Sequence, residues 1–82
     1  MSEGQMPLSN LACGKVALVR QLAGGQSFMS RMAALGFTRG ADVTVVRSLG
    51  HGPLIVLVRG TRVALGRGEA AKVMVEVVPS GR

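Results

Sequence analysis

The amino-acid sequence predicts a small, mainly β protein, in which about five short strands form a strongly bent antiparallel barrel with one inserted short α-helix. The chain has 82 residues, which is enough for a single domain. Most of its apolar residues fall in short valine-rich segments separated by glycine-containing turns. Only one segment repeats its apolar residues at helical spacing over more than one turn.

The first residues predict a tail, an anchor and a strand. Residues 1–7 are polar and contain glycine and proline, so we expect a flexible N-terminal tail. Leu8 and Leu11 are three residues apart, a spacing that suits one helical turn or an anchoring cap. Residues 15–22 are apolar and rich in valine, which favours a first strand.

A short amphipathic helix is predicted over residues 28–35. Ser27 precedes it as a suitable N-cap residue, and Gly36 follows it where a C′ glycine would end the helix. The apolar face combines residues spaced three and four apart, namely Phe28, Met29, Met32, Ala33 and Leu35. We expect this face to be buried, so Leu35→Ala should lower the free energy of unfolding by about 2–4 kcal/mol.

The second half of the chain predicts four further strands, at residues 42–48, 54–59, 62–65 and 73–78. The second of these is continuously apolar, which is typical of a central strand covered on both faces. Glu69-Ala70-Ala71 gives a single helical turn before the last strand. The domain is therefore expected to span residues 8–78, followed by a short C-terminal tail at residues 79–82.

The charge balance is compatible with several classes of partner. Ten Lys and Arg against four Asp and Glu give a net charge of +6, which suits nucleic acid, an anionic membrane surface or an acidic protein. The cations are dispersed, and the only aromatic residues, Phe28 and Phe37, are expected in the core. Because base stacking needs exposed aromatic rings, we expect no nucleic-acid partner.

The residues that carry catalysis and metal binding are few. His51 is the only histidine, Cys13 is the only cysteine, and the four acidic residues are scattered along the chain. No spacing among them fits a nucleophile with its base or a convergent set of metal ligands. We therefore expect no enzymatic activity, no cofactor and no tight iron site.

The expected location is the cytoplasm. A single unpaired thiol suits a reducing compartment. The longest apolar run, residues 54–58, is far shorter than the ~20 residues that span a bilayer. Residues 1–14 lack the cationic start and the long apolar run of a secretory signal. We expect no direct insertion into a membrane.

Several segments, taken in order, resemble the FeoA family, the small cytoplasmic component of bacterial ferrous iron transport. Residues 31–40 (RMAALGFTRG) resemble its helix-and-turn signature, and the valines of residues 42–46 follow as they do in the family. Residues 52–56, 62–67 and 69–75 resemble its Gly-Pro hairpin, its Val-Ala-Leu strand and its closing Glu-Ala segment. The resemblance extends over nearly the whole chain.

This resemblance implies an SH3-like β-barrel with an inserted helix, and an accessory or regulatory role in ferrous iron uptake. The implied partner is the membrane ferrous iron transporter FeoB, contacted through its cytoplasmic GTP-binding region, which would recruit the protein to the inner face of the membrane. Arg39 and Met32 depart from the family pattern, in which proline and leucine are usual. The same barrel occurs in DtxR-like repressors, so the alternative is a basic SH3-like module that binds nucleic acid or serves another complex.

We expect the partner surface around the helix and the hairpin facing it, at Arg31, Arg39, His51 and Leu54. An adaptor with few aromatic residues must bind through aliphatic patches and arginine, whose guanidinium makes directional, charge-assisted contacts. Arg31 lies off the apolar helix face, so its alternative roles are helix capping and solvation. Sheet edges in so small a barrel could also pair between chains and give a weak homo-oligomer.

Overall fold

The computed structural model describes residues 4–48 and 50–78 and shows a mainly β fold. The elements in chain order are β1 (Gln5–Pro7), a 3₁₀ turn (Leu8–Asn10), β2 (Val16–Leu22), α1 (Gln26–Ala34), β3 (Asp42–Ser48), β4 (Leu54–Val58), β5 (Thr61–Leu65), α2 (Arg67–Ala70) and β6 (Val73–Val77). The strands form one antiparallel sheet in the order β1-β6-β2-β3-β4-β5. None of the helices in these two ranges is long and apolar enough to cross a bilayer.

The N-terminal segment departs from its prediction. The flexible tail predicted over residues 1–7 is wrong for residues 5–7, which form β1 and pair with β6, so the described sheet has six strands. Pro7 is tolerated because β1 is an edge strand, where a missing N–H need not cost a ladder bond. The anchor prediction is confirmed, since Leu8 and Leu11 flank the 3₁₀ turn and are both buried. Residues 1–3 and 79–82 lie outside the described residues.

The sheet curls around one hydrophobic core. Buried side chains of β2, β3, β4, β5 and β6 belong to a single cluster. One sheet with only two short helices encloses such a core only by bending. Extra residues at Arg20 in β2 and Val46 in β3 interrupt the pairing, and bulges of this kind bend a strand and increase its twist. Among the described residues β1 and β5 remain the sheet's two edges, so closure into a barrel is not confirmed.

Strand β4 is buried on one face only. Leu54, Val56 and Val58 are completely buried, whereas Leu57 is 39% exposed and Ile55 is half-buried. The prediction that this strand is covered on both faces is therefore wrong. The strand is continuously apolar because its outer face also carries aliphatic side chains, which are partly exposed to solvent.

Helix α1 begins earlier than predicted and ends as predicted. Gly25, rather than Ser27, is the N-cap residue, and it provides no side-chain cap. At the other end Gly36 has φ +105°. Its N–H bonds the Ala33 carbonyl, while the Phe37 N–H bonds the Met32 carbonyl. These two bonds form a Schellman motif, in which glycine adopts the left-handed backbone conformation without steric strain.

The buried face of α1 differs from the predicted one at its last residue. Met32 is fully buried and Phe28 is half-buried, but Leu35 is 37% exposed. Leu35 is the C-cap residue, one position beyond the last residue of the helix, and it keeps a right-handed helical backbone conformation. Phe37, just beyond the helix, is completely buried instead. The predicted burial of Leu35 is therefore wrong.

Candidate partner-binding groove

A groove of about 550 Å³ lies between α1 and β2. We call it the α1–β2 groove. Its lining is mainly apolar and includes Val19, Leu22, Met29, Ala33 and Phe37, together with Arg39. A cavity of this size falls within the range of pockets that hold a small ligand or a few side chains of a partner.

The groove exists because α1 touches the sheet with only one part of its apolar surface. Met32 and Phe28 pack against the core. Met29 and Ala33, four residues apart, share the neighbouring stripe of the helix and face the groove instead. Met29 is 44% exposed, although a methionine side chain would stabilise the fold more if buried. Methionine is also the aliphatic side chain that adapts most readily to varied partners.

One rim of the groove is basic. The Arg39 Nε donates a hydrogen bond to the Arg20 carbonyl, with 3.2 Å between the two atoms. Arg20 in turn pairs with Glu76 of β6, at 2.8 Å between Nε and Oε1. Because Arg20 is the extra residue of the β2 bulge, its carbonyl is available to a side chain instead of a neighbouring strand. Arg39 is thereby held at the rim, and its exposed guanidinium remains accessible to an anionic group.

Arg59, in the turn between β4 and β5, holds the C-terminal end of α1. Its Nε donates to the Gly36 carbonyl at 3.2 Å, and its second guanidinium nitrogen donates to the Thr38 hydroxyl at 2.5 Å. The Gly36 carbonyl lies just past the helix, where backbone acceptors need partners and positive charge is favourable. The helical wall of the groove is thus fixed to the β4–β5 hairpin.

The outer surface of α1 is tied to the end of the sheet that carries α2. Arg31 forms an ion pair and hydrogen bond with Glu69 of α2. Glu69 also accepts a hydrogen bond from the Gly66 N–H at 3.2 Å, as in a capping box. The Lys72 ammonium lies 5.2 Å from the centre of the Phe28 ring, within range of a cation–π contact. These contacts position α1 from the side opposite the groove.

The four residues predicted for the partner surface do not form one surface. Leu54 is completely buried in the core and does not reach the protein surface. Its assignment as a contact residue is wrong, because β4 directs it inward together with Val56. Arg39 lines the groove. Arg31 pairs with Glu69, and His51 is exposed in the β3–β4 connection, outside the groove lining.

The groove residues that sequence reasoning missed are those of its apolar lining. The sequence assigns Met29 and Ala33 to the buried helix face, which makes that face very wide for a helix predicted over residues 28–35. A wide apolar face on a short helix is the sequence signal of a second apolar surface. Leu22 had no such signal, because its place depends on how the sheet pairs.

Potential metal ligands do not cluster in the described residues. No three His, Cys, Asp or Glu side chains converge within residues 4–48 and 50–78. Cys13 and His51 are both exposed, in connections at the beginning of β2 and before β4. The recognisable feature of this chain is therefore the α1–β2 groove with its basic rim.

The curled antiparallel sheet and the inserted helix define a class of protein, the small SH3-like β proteins. Within that class, the model of the FeoA domain matches residues 6–77. The chain therefore belongs to the FeoA domain family.

Individual relatives agree with this assignment. A candidate Fe(2+) transport protein A of Methanocaldococcus jannaschii is 34% identical over 70 residues, covering 85% of this chain and 84% of its own. A crystal structure of an iron uptake regulatory protein (FeoA) is 35% identical, with a TM-score of 0.86, over 90% of this chain and 99% of its own. The zinc complex of Stenotrophomonas maltophilia FeoA, described as a prokaryotic SH3 domain protein, is 34% identical, with a TM-score of 0.78, over 87% and 89%.

Proposed function

We propose that this chain is an accessory protein of ferrous iron uptake that acts at the cytoplasmic side of the membrane by protein–protein contact. Its proposed partner is the membrane ferrous iron transporter FeoB, through the cytoplasmic GTP-binding region. The α1–β2 groove is the proposed contact site. Membership of the FeoA family supports the iron-transport setting.

The observation that carries the proposal is the preformed, mainly apolar groove beside an exposed Met29 and a positioned Arg39. An apolar cleft flanked by an arginine suits a protruding apolar side chain with an acidic neighbour. The role needs neither a cofactor nor a catalytic group, since the protein would change the transporter by binding it. Differential affinity for two transporter states is sufficient for such regulation.

We also infer that the curled sheet is a version of the SH3-like barrel. The support is the likeness to the S. maltophilia protein and the single core shared by five strands.

The experiment is complementation of cells that lack this protein but keep their transporter. Ferrous iron uptake is measured with the parent chain, with Met29→Glu and with Val16→Glu. The second variant is a matched control, because Val16 is 42% exposed, Met29 is 44% exposed, and Val16 lies at the far end of β2 from the groove. We expect Met29→Glu to abolish the rescue and Val16→Glu to retain it. Equal uptake with both variants would contradict the assigned contact site.

The alternative, a nucleic-acid-binding module, draws support from the net charge of +6. Its signature would be an affinity for nucleic acid that falls steeply with salt concentration. We expect no such binding at physiological salt, because Phe28 is packed against the core and Phe37 is completely buried, leaving no stacking platform in the described residues.

A further inference from the structure

The outer edge of β5 carries backbone groups that no described strand uses. β5 is an edge of the sheet and pairs only with β4. The connecting loop has two residues, Arg59 and Gly60, with φ +50° and +79°, as in a type I′ turn. In such a hairpin Val58 and Thr61 form the hydrogen-bonded pair next to the loop.

Hydrogen-bonded pairs alternate along an antiparallel ladder, which fixes the direction of every backbone group in β5. Thr61, Val63 and Leu65 bond to β4. Arg62 and Ala64 therefore direct their N–H and C=O groups away from the sheet. An edge with such open donors and acceptors is a template for an additional strand.

The side chains beside this edge select for negative charge. Arg62 and Arg47 lie on the outer sheet face and line one shallow pocket with Ile55 and Val46. Among the described residues neither arginine forms an ion pair or a side-chain hydrogen bond. Arg20 and Arg31, by contrast, form ion pairs with Glu76 and Glu69.

We propose that the β5 edge binds an extended acidic segment of a protein partner, which adds to the sheet as a further strand. The backbone of the segment would pair with Arg62 and Ala64. A side chain opposite Ala64 would extend over that small methyl group towards the pocket between Arg47 and Arg62. An acidic residue there meets two guanidinium groups, whereas a basic residue is repelled. This surface is separate from the α1–β2 groove and does not depend on the function assigned to it.

Two other occupants fit the edge less well. A second copy of this chain pairing β5 with β5 would bring two Arg62 and two Arg47 side chains onto one face, and like charges across strands are destabilising. A nucleic acid would contact the arginines, but it would not supply the regularly spaced backbone N–H and C=O groups with which an extended peptide pairs along a strand edge.

The test uses the full chain labelled with ¹⁵N and a synthetic peptide of alternating Glu and Val as the probe, with a Lys–Val peptide as the control. We expect the acidic peptide, at about 1 mM, to shift the amide signals of Arg62 and Ala64. Arg62→Glu should weaken the binding by about tenfold or more. Arg39→Glu changes the charge by the same amount at the groove rim and should leave the affinity at β5 unchanged.

A second variant tests the backbone contacts. Ala64→Pro removes the outward N–H, which β4 does not use, and an edge strand tolerates proline at such a position, so the fold should be kept and the binding lost. Ala64→Ser keeps both the N–H and a small side chain and should still bind. The proposal is overturned if the acidic peptide leaves the β5 amides unshifted, if Arg62→Glu and Arg39→Glu weaken binding equally, or if the Lys–Val peptide binds as well. Concentration-dependent shifts at β5 without peptide would assign the edge to a second copy instead.

Discussion

Met32 and Leu35 lie three residues apart at the end of α1, but only Met32 is enclosed by the core. Met32→Ala removes a fully buried side chain and should lower the free energy of unfolding by about 2–4 kcal/mol. Leu35→Ala removes a side chain that is 37% exposed and should cost less than about 1 kcal/mol. Urea denaturation of both variants measures the difference. Equal midpoints would show that α1 docks in another rotation.

Gly36 is required by its backbone conformation. Its φ is +105°, and a Cβ atom there would come within 3.4 Å of the Arg59 side chain. Gly36→Ala should therefore destabilise the protein by about 1 kcal/mol or more. Gly68 in α2 has open space around its Cα and no left-handed φ, so Gly68→Ala should be neutral or stabilising. Thermal unfolding compares the two, and a similar loss from both would contradict the assigned helix end.

The β4–β5 hairpin supports α1 through the Arg59 side chain. Arg59→Asn removes the bonds to Gly36 and Thr38. Asparagine before glycine is also favoured in a type I′ turn, so the hairpin itself should be kept or strengthened. We expect faster amide hydrogen exchange at the C-terminal end of α1, with unchanged protection in β4 and β5.

The control for this prediction is Arg47→Asn, which removes an arginine without a described contact to α1. It should leave exchange in α1 at the parent rate. If Arg59→Asn also leaves that rate unchanged, the hairpin does not hold the helix.

The parts of the fold that could be predicted from the sequence are those set by local chemistry. β3 has the predicted bounds, Leu8 and Leu11 anchor the chain, and Gly36 ends α1. The edge strand β1 had no local signal, because three residues become a strand only through pairing with distant β6. The exposure of Leu35, the C-cap residue, could not be predicted from the helical repeat, because the repeat does not show where the core stops covering the helix.

The candidate site was harder to predict from the sequence, because it too depends on how separate segments pack together. Arg39 could be selected as a charged residue in a turn, and it does line the groove. Leu54 is predicted as part of an aliphatic patch on the hairpin but is enclosed, since its exposure depends on which face of β4 meets the core. A groove between a helix and a strand arises from the way they pack, so it cannot be predicted from the sequence of either segment by itself.

The isolated chain should have no tight site for ferrous iron. No three His, Cys, Asp or Glu side chains converge in residues 4–48 and 50–78, and a first-row metal needs several such ligands. Anaerobic calorimetry with Fe²⁺ should show no saturable one-to-one binding. A saturable isotherm with an affinity tighter than about 1 μM would overturn this expectation.

The central claim is that the α1–β2 groove is the surface through which the chain binds the transporter's cytoplasmic region. Its most direct test is an NMR titration of the ¹⁵N-labelled chain with that purified region. We expect shifts around Leu22, Met29 and Arg39, an affinity at least about tenfold weaker for Met29→Glu, and parent affinity for Val16→Glu. Binding that shifts other residues and is unchanged in Met29→Glu would contradict it, and if Arg62→Glu alone weakened that binding, the contact would belong to the β5 edge.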